Sequence, residues 1–366
     1  MRKEATWLFL WMLTININAF GQSQIPENIF IITLDGLRWQ ELFMGADTLL
    51  IENENFVGDI SAIKAKFLRD DYKERRSQLM PWFWSTLVNE GSLLGNRHLG
   101  SKVNLTNKHW FSYPGYNEIL TGFADSTINS NDKIWNPNKT ILEHLNQIPA
   151  YQGKVAAFAS WDVFPFIINE KRSGVPVIAG FEAAAYGITI SEKEAFLNEL
   201  QASTPSPWAS VRLDVFTHHY AKEYVGRKHP KIVYIGYGET DDFAHDAEYD
   251  QYLNAANRTD YFIADLWNMC QSDPFYAGKT TFLITTDHGR GDIVKSQWTS
   301  HGVSIEGANE IWFAAIGPGI KPLGESEEEG QWYQNQIAAT VMHLLGIDYG
   351  KIEPQSGSPL DFILKK

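Results

Sequence analysis

Three short apolar runs in this sequence each lead into a carboxylate, and that pattern restricts the fold more than any other feature. Asn28 to Leu34 reads Asn-Ile-Phe-Ile-Ile-Thr-Leu and runs straight into Asp35-Gly36. Lys231 to Gly236 reads Lys-Ile-Val-Tyr-Ile-Gly and leads to Glu239-Thr240-Asp241. Phe282-Leu283-Ile284 is followed by Thr-Thr-Asp287-His288-Gly289. Short apolar runs without alternation read as strands buried on both faces, which is how a parallel sheet under helices is written. Lys154 to Ser160 and Ile311 to Ile316 read as further strands. Helical patterns lie between them: Met80 to about Asn89, Thr140 to Asn146, Ser191 to Gln201, Trp208 to Arg227, Ala247 to Cys270 and Gln331 to Leu345. The expected fold is α/β, a mainly parallel central sheet sandwiched between helices. Asp47 to Gln78 lacks clean periodicity and reads as a surface excursion, and residues 123–139 read as a loop.

Open α/β sheets place their ligands at the carboxyl ends of the strands. Asp241 and His245 are one helical turn apart, so a helix starting here turns both to one point. Asp287 and His288 are adjacent, and His301 follows in Ser300-His301-Gly302. Each piece has a bland reading: Asp287 as a cap, His288 as a loop residue. Three strand-end carboxylates with three histidines are a donor set for paired divalent ions, and the six divide into two sites of three. Ser112 opens Ser-Tyr-Pro-Gly-Tyr-Asn-Glu-Ile-Leu-Thr-Gly122, where Pro114 suits a first helical turn and Gly122 a C-terminal cap. A helix N-terminus favours an anion. On local grounds alone, Ser112 reads as an N-cap serine.

In order, these motifs resemble the alkaline phosphatase superfamily, and most of all its type I phosphodiesterase and nucleotide pyrophosphatase branch, with phosphoglyceromutase-like relatives nearby. The resemblance rests on Ile-Thr-Leu-Asp35-Gly, Met80 to Gly91, Ser112 to Gly122, Asp241 to His245, Thr286-Asp287-His288-Gly289 and Ser300-His301-Gly302. It implies that Asp241, His245 and His301 hold one metal, while Asp35, Asp287, His288 and the Ser112 oxygen hold the other. Ser112 stands in the nucleophile's place. The implied function is a two-metal phosphohydrolase acting on phosphodiesters or phosphomonoesters through a phospho-serine intermediate, on a small phosphorylated substrate. Zinc suits the mixed Asp and His donors best, with manganese the alternative. Asn129 and Asn131, in the polar loop after Gly122, are the candidates for holding a phosphate oxygen, with Asn131 preferred; the bland reading of both is loop turn chemistry. Two departures stand out: the diesterase branch usually carries threonine where this chain has Ser112, and the gap from His288 to His301 is short. The serine keeps a sugar-phosphate phosphotransferase or mutase as an alternative, and a non-catalytic ligand-binding relative is another. A formylglycine sulfatase is disfavoured, because its motif needs arginine where Tyr116 stands.

Arg2 and Lys3 precede a mostly apolar run from Trp7 to Ile15, and Ala19-Phe20-Gly21 offers small residues for cleavage before Gln22. The expectation is a secretory signal over residues 1–21, a single catalytic domain over 22–366, and a periplasmic or secreted protein. Asn16 and Asn18 leave the run too short to anchor in a bilayer. Without residues 1–21 the chain carries 29 Lys and Arg against 43 Asp and Glu, a net charge of −14. That acidity disfavours general nucleic-acid binding. Cys270 is the only cysteine, so no intramolecular disulfide forms. Trp82, Trp84, Trp110, Trp135 and Trp161 surround the Ser112 region in sequence and offer stacking surfaces, although packing is the commoner use. Glu325 to Glu329 reads as a solvated acidic loop.

Overall fold

The computed structural model describes residues 25–185 and 190–366. The expected export segment lies outside the described residues. The described residues form strands β1 (Asn28–Leu34), β2 (Gly91–Leu94), β3 (Ser101–Asn104), β4 (Val155–Ala159), β5 (Val177–Ala179), β6 (Ile232–Tyr237), β7 (Thr280–Thr285), β8 (Glu310–Ile311), β9 (Phe313–Ile316), β10 (Gly324–Glu325) and β11 (Gly330–Tyr333). Eight of them make one sheet in the order β10-β2-β9-β7-β1-β6-β4-β5. Neighbours are parallel except around β9, which runs antiparallel to β2 and β7. A second sheet, β11-β3-β8, is small.

The sheet is buried on both faces, as its unalternating apolar strands require. Along β1, Phe30, Ile32 and Leu34 face one core, while Ile29 and Ile31 face the other. The first core is closed by the long helix Tyr249–Ser272 through Tyr252, Leu253, Ala256 and Ile263, and by Asp214–Lys228 through Tyr220 and Val225. The second is closed by Ser112–Thr121, Ile141–Gln147 and Gln336–Leu344. The chain is therefore α/β with a mainly parallel sheet between helical layers.

Four local readings are corrected by the structure. The stretch from Asp47 to Gln78 contains three short helices, Thr48–Ile51, Ile60–Phe67 and Tyr72–Leu79, capped by Asp47, Asp59 and Asp71. Ile51, Phe67 and Leu79 enter the core. Each helix buries only two side chains, too few to write a 3.6-residue period into the sequence. Gly330–Tyr333 is a strand on β3, not the start of the closing helix, which spans Gln336–Leu344. The helix expected from Trp208 begins only at Asp214, because Val211 is held extended in a bridge to Trp161. Glu325 is not a free loop acid: its carboxylate takes Arg76 Nη1 and Nη2 at 2.8 and 2.9 Å and Asn96 Nδ2 at 2.6 Å.

Candidate metal centre

Strands β7, β1 and β6 lie side by side and parallel, so their carboxyl ends form one ledge. Asp35 leaves β1, Asp287 leaves β7, and Asp241 sits in the first turn of the helix Glu239–His245 after β6. Gly36 turns the chain at φ +59°, and a Cβ there would lie 2.7 Å from Asp241 Oδ1, so only glycine serves. The turn after β6 is fixed by Asp214, whose carboxylate accepts Gly238 N–H at 2.8 Å and Glu239 N–H at 3.1 Å. Asp241 and His245 then project from one helix face, with His245 Nε2 3.2 Å from Asp241 Oδ2.

His288 stands at the middle of the ledge. Its Nε2 lies 3.4 Å from Asp35 Oδ1, 3.5 Å from Asp287 Oδ2 and 3.6 Å from Asp241 Oδ1. Its Nδ1 lies 3.0 Å from the Gly289 carbonyl, which turns Nε2 inward. The helix Ser112–Thr121 points its N-terminus at the same place, and Gly115 lets it press against the Asp287 backbone. Ser112 is the first helical residue, with Phe111 at the N-cap position, and its Oγ is 3.3 Å from His288 Nε2. The cap reading of Ser112 is thereby corrected. Asn131 supplies that bond instead, its Oδ1 accepting Tyr113 N–H at 3.0 Å. His301 packs its ring 4.0 Å from that of His288, and its Nε2 is 3.0 Å from His245 Nε2.

The structure thus brings all seven expected metal-site residues together. Donor atoms of Asp35, Asp287 and His288 cluster within 4.8 Å, as do those of Asp241, His288 and His301. His288 belongs to both groups, and His245 adjoins the second through Asp241 and His301. The donor chemistry fits a cation. Among the described residues, Asp35 Oδ1 and Asp287 Oδ2 are buried with no hydrogen-bond partner, while the other oxygen of each is engaged, by Tyr116 OH at 2.7 Å and Gly36 N–H at 3.1 Å. Burial, then the Asp241 charge, pushes the Asp35 carboxyl well above the usual range. Burial, then the Asp35 charge, does the same at Asp287. Burial also opposes ionisation of Asp241, but Arg290 and then His245 hold it well below that range. Burial, then the His288 charge, pushes His301 down to about 2, leaving a neutral imidazole able to ligate. Buried carboxylate oxygens with no hydrogen-bond donor are costly unless a cation joins them.

Above the ledge lies a cavity of about 190 Å³ lined by Asp35, Ser112, Asn131, Trp161, Ser210, Val211, Gly238, Asp241, Asp242, His245 and His301. Of the five tryptophans near Ser112 in sequence, Trp161 alone lines it. Trp82 packs on Trp267, Trp84 on Phe43 and under Arg76, Trp135 on Phe166, and Trp110 against the second core. Three site residues escape sequence reasoning. Arg290, fully buried, bonds Asp241 through both its carbonyl (3.0 Å) and Oδ1. Tyr116 bonds Asp35. Asp242 lines the cavity, and burial followed by the Asp241 charge pushes its carboxyl up to about 9.

Residues 217–349, which span Asp241 to His301, match the family model described as the metalloenzyme superfamily. No curated protein matches the sequence. Among solved structures, the fold is shared with the wild-type alkaline phosphatase PafA, at 11% identity and a TM-score of 0.60, over 93% of this chain and 99% of that one. It is shared with the phosphonate monoester hydrolase SpPMH from Silicibacter pomeroyi, at 12% identity and a TM-score of 0.53, over 92% and 76%. An alkaline phosphatase superfamily protein from Vibrio parahaemolyticus aligns at 14% identity and a TM-score of 0.52, over 94% and 71%.

Proposed function

We propose that this chain, with its metalloenzyme-superfamily segment set in an alkaline phosphatase superfamily fold, is an exported two-metal phosphohydrolase of phosphodiesters or phosphomonoesters. The observation that carries the reading is the convergence of Asp35 Oδ1, Asp287 Oδ2, His288 Nε2 and Ser112 Oγ, with two of those oxygens buried and bare. In this reading Asp35, Asp287 and His288 hold one divalent ion beside the Ser112 oxygen. Asp241, His245 and His301 hold the other. Zinc is the first choice and manganese the second.

Bound divalent ions supply a lowered pKa for a nearby hydroxyl and neutralise charge on phosphoryl oxygens. The rest is done by the chain. Ser112 Oγ attacks phosphorus as the bond to the leaving alcohol breaks, giving a phospho-serine and a free alcohol. Water then cleaves the phospho-serine and restores Ser112. The positive end of the helix Ser112–Thr121 faces the phosphoryl group and favours its charge. The Asn131 amide group, on the cavity wall, would donate to a phosphoryl oxygen in this reading. Asp287, Asp35 and His288, fixed on strand ends, keep the ledge rigid so that geometry is set before substrate arrives.

The test is turnover of bis-p-nitrophenyl phosphate, p-nitrophenyl phosphate and p-nitrophenyl sulfate by the full chain, with zinc or manganese supplied and after chelation. Turnover of a phosphate ester that chelation removes and metal restores is expected. No turnover of either ester would sink the proposal, and sulfate as the better substrate would redirect it. A second expectation concerns His301, whose Nε2 stands 3.9 Å from Asp241 Oδ1. His301→Ala should bind about one ion per chain instead of about two, with turnover greatly reduced. Retention of both ions at wild-type affinity would remove His301 from the ligand set.

A further inference from the structure

We infer that Tyr116 is a positioning residue whose hydroxyl decides which oxygen of Asp35 faces the metal and ties the Ser112 helix to the end of β1. This rests on the two-metal reading above. Tyr116 is 1% exposed, and its hydroxyl donates to Asp35 Oδ2 at 2.7 Å. Asp35 Oδ1, the other oxygen, has no hydrogen-bond partner among the described residues and lies 3.4 Å from His288 Nε2. A carboxylate on a single bond can rotate and offer either oxygen, or both. A phenol held rigidly against one oxygen removes that freedom and leaves the second as a single-oxygen ligand. Partners of this kind set ligand orientation and typically account for 10–100-fold in metal affinity.

The rigidity is visible. The Tyr116 ring packs edge-on against Phe164 at 4.6 Å and lies 6.5 Å from Trp161. It sits one turn after Ser112 on the same helix, so the bond that orients Asp35 also sets the distance from β1 to the Ser112 oxygen. The other two carboxylates are managed differently. Asp287 Oδ1 is held by a backbone donor, Gly36 N–H at 3.1 Å. Asp241 has both oxygens engaged, Oδ1 by Arg290 and Oδ2 by His245. Loss of the Tyr116 hydroxyl should therefore weaken the Asp35, Asp287 and His288 site alone.

The experiment uses the full chain as wild type, Tyr116→Phe and Tyr234→Phe. Tyr234 is the matched control: it is fully buried in the same core, and its hydroxyl bonds Thr33 Oγ1 at 2.7 Å, not an Asp35 oxygen. Zinc alone is titrated against a chromogenic chelator, and kcat and KM are measured on bis-p-nitrophenyl phosphate at saturating zinc. In Tyr116→Phe one zinc site is expected to weaken about 10–100-fold while the other stays within about twofold. Its kcat should fall more than its KM rises, and Tyr234→Phe should match wild type in both. Unchanged zinc affinity in Tyr116→Phe, equal weakening of both sites, or equal losses in the two variants would each overturn the inference and leave the two-metal reading standing. Wild type that binds no zinc would bring down both.

Discussion

Replacing Ser112 by alanine should lower kcat/KM on a phosphate ester by on the order of 10³-fold or more, about 4 kcal/mol of transition-state stabilisation, while two divalent ions stay bound. The expectation follows from the position of Oγ, 3.3 Å from His288 Nε2 and at the mouth of a helix N-terminus, where it can attack but holds up no structure. Its side chain makes no capping bond, so its loss should leave the helix intact. A wild-type reaction quenched at steady state should carry phosphate on Ser112 by peptide mass spectrometry, and the variant should carry none. Near-normal turnover by Ser112→Ala would show that another group, or water, attacks phosphorus.

Asp287→Asn should be as damaging by a different route. Asp287 is fully buried, with Oδ1 on Gly36 N–H and Oδ2 bare. Asparagine keeps the shape but removes the charge, so metal affinity at the Asp35, Asp287 and His288 site should fall on the order of 100-fold or more, and activity with it. The metal-free protein should respond in the opposite sense. Burial, then the Asp35 charge, raises the Asp287 pKa in the folded chain. The folded state then keeps a proton that the unfolded chain has lost, so stability falls as pH rises from the ordinary carboxylate range through the raised value. Asp287→Asn removes that loss. Metal-stripped variant should melt at or above wild type near pH 8, and zinc should raise the midpoint of wild type far more than that of the variant. A variant that melts well below wild type without metal would mean that Asp287 is a structural residue.

The parts of the fold legible in sequence are those whose cause is local. β1, β6 and β7 announce themselves because strands buried on both faces carry unalternating apolar runs, and their order in the sheet turns three separate acids into one ledge. Gly122 ends its helix at φ +82°, as a glycine C-cap should, and Ser191 forms a capping box with Glu194. Features held by distant partners left no trace. The first turn after Met80 is a π-helix over Phe83–Leu87, and the Trp82 and Phe83 N–H groups are taken at 2.8 and 3.0 Å by Asp260, far along the chain. Short strands such as β3 and β11 depend on each other for their hydrogen bonds, not on any pattern of their own. At the site, the acids and histidines were legible because metal donors come from few residue types. Arg290 and Tyr116 were not, since their roles consist of a contact with a carboxylate on another element.

One chain should bind two divalent ions at one ledge and need both to cleave a phosphate ester. Elemental analysis of purified full-length chain, paired with turnover across a titration of zinc into stripped protein, tests it most directly. Turnover should climb to its plateau only as content reaches about two ions per chain, with each of Asp35, Asp241 and Asp287 required. Full turnover with less than one ion per chain, or in the stripped protein, would contradict it.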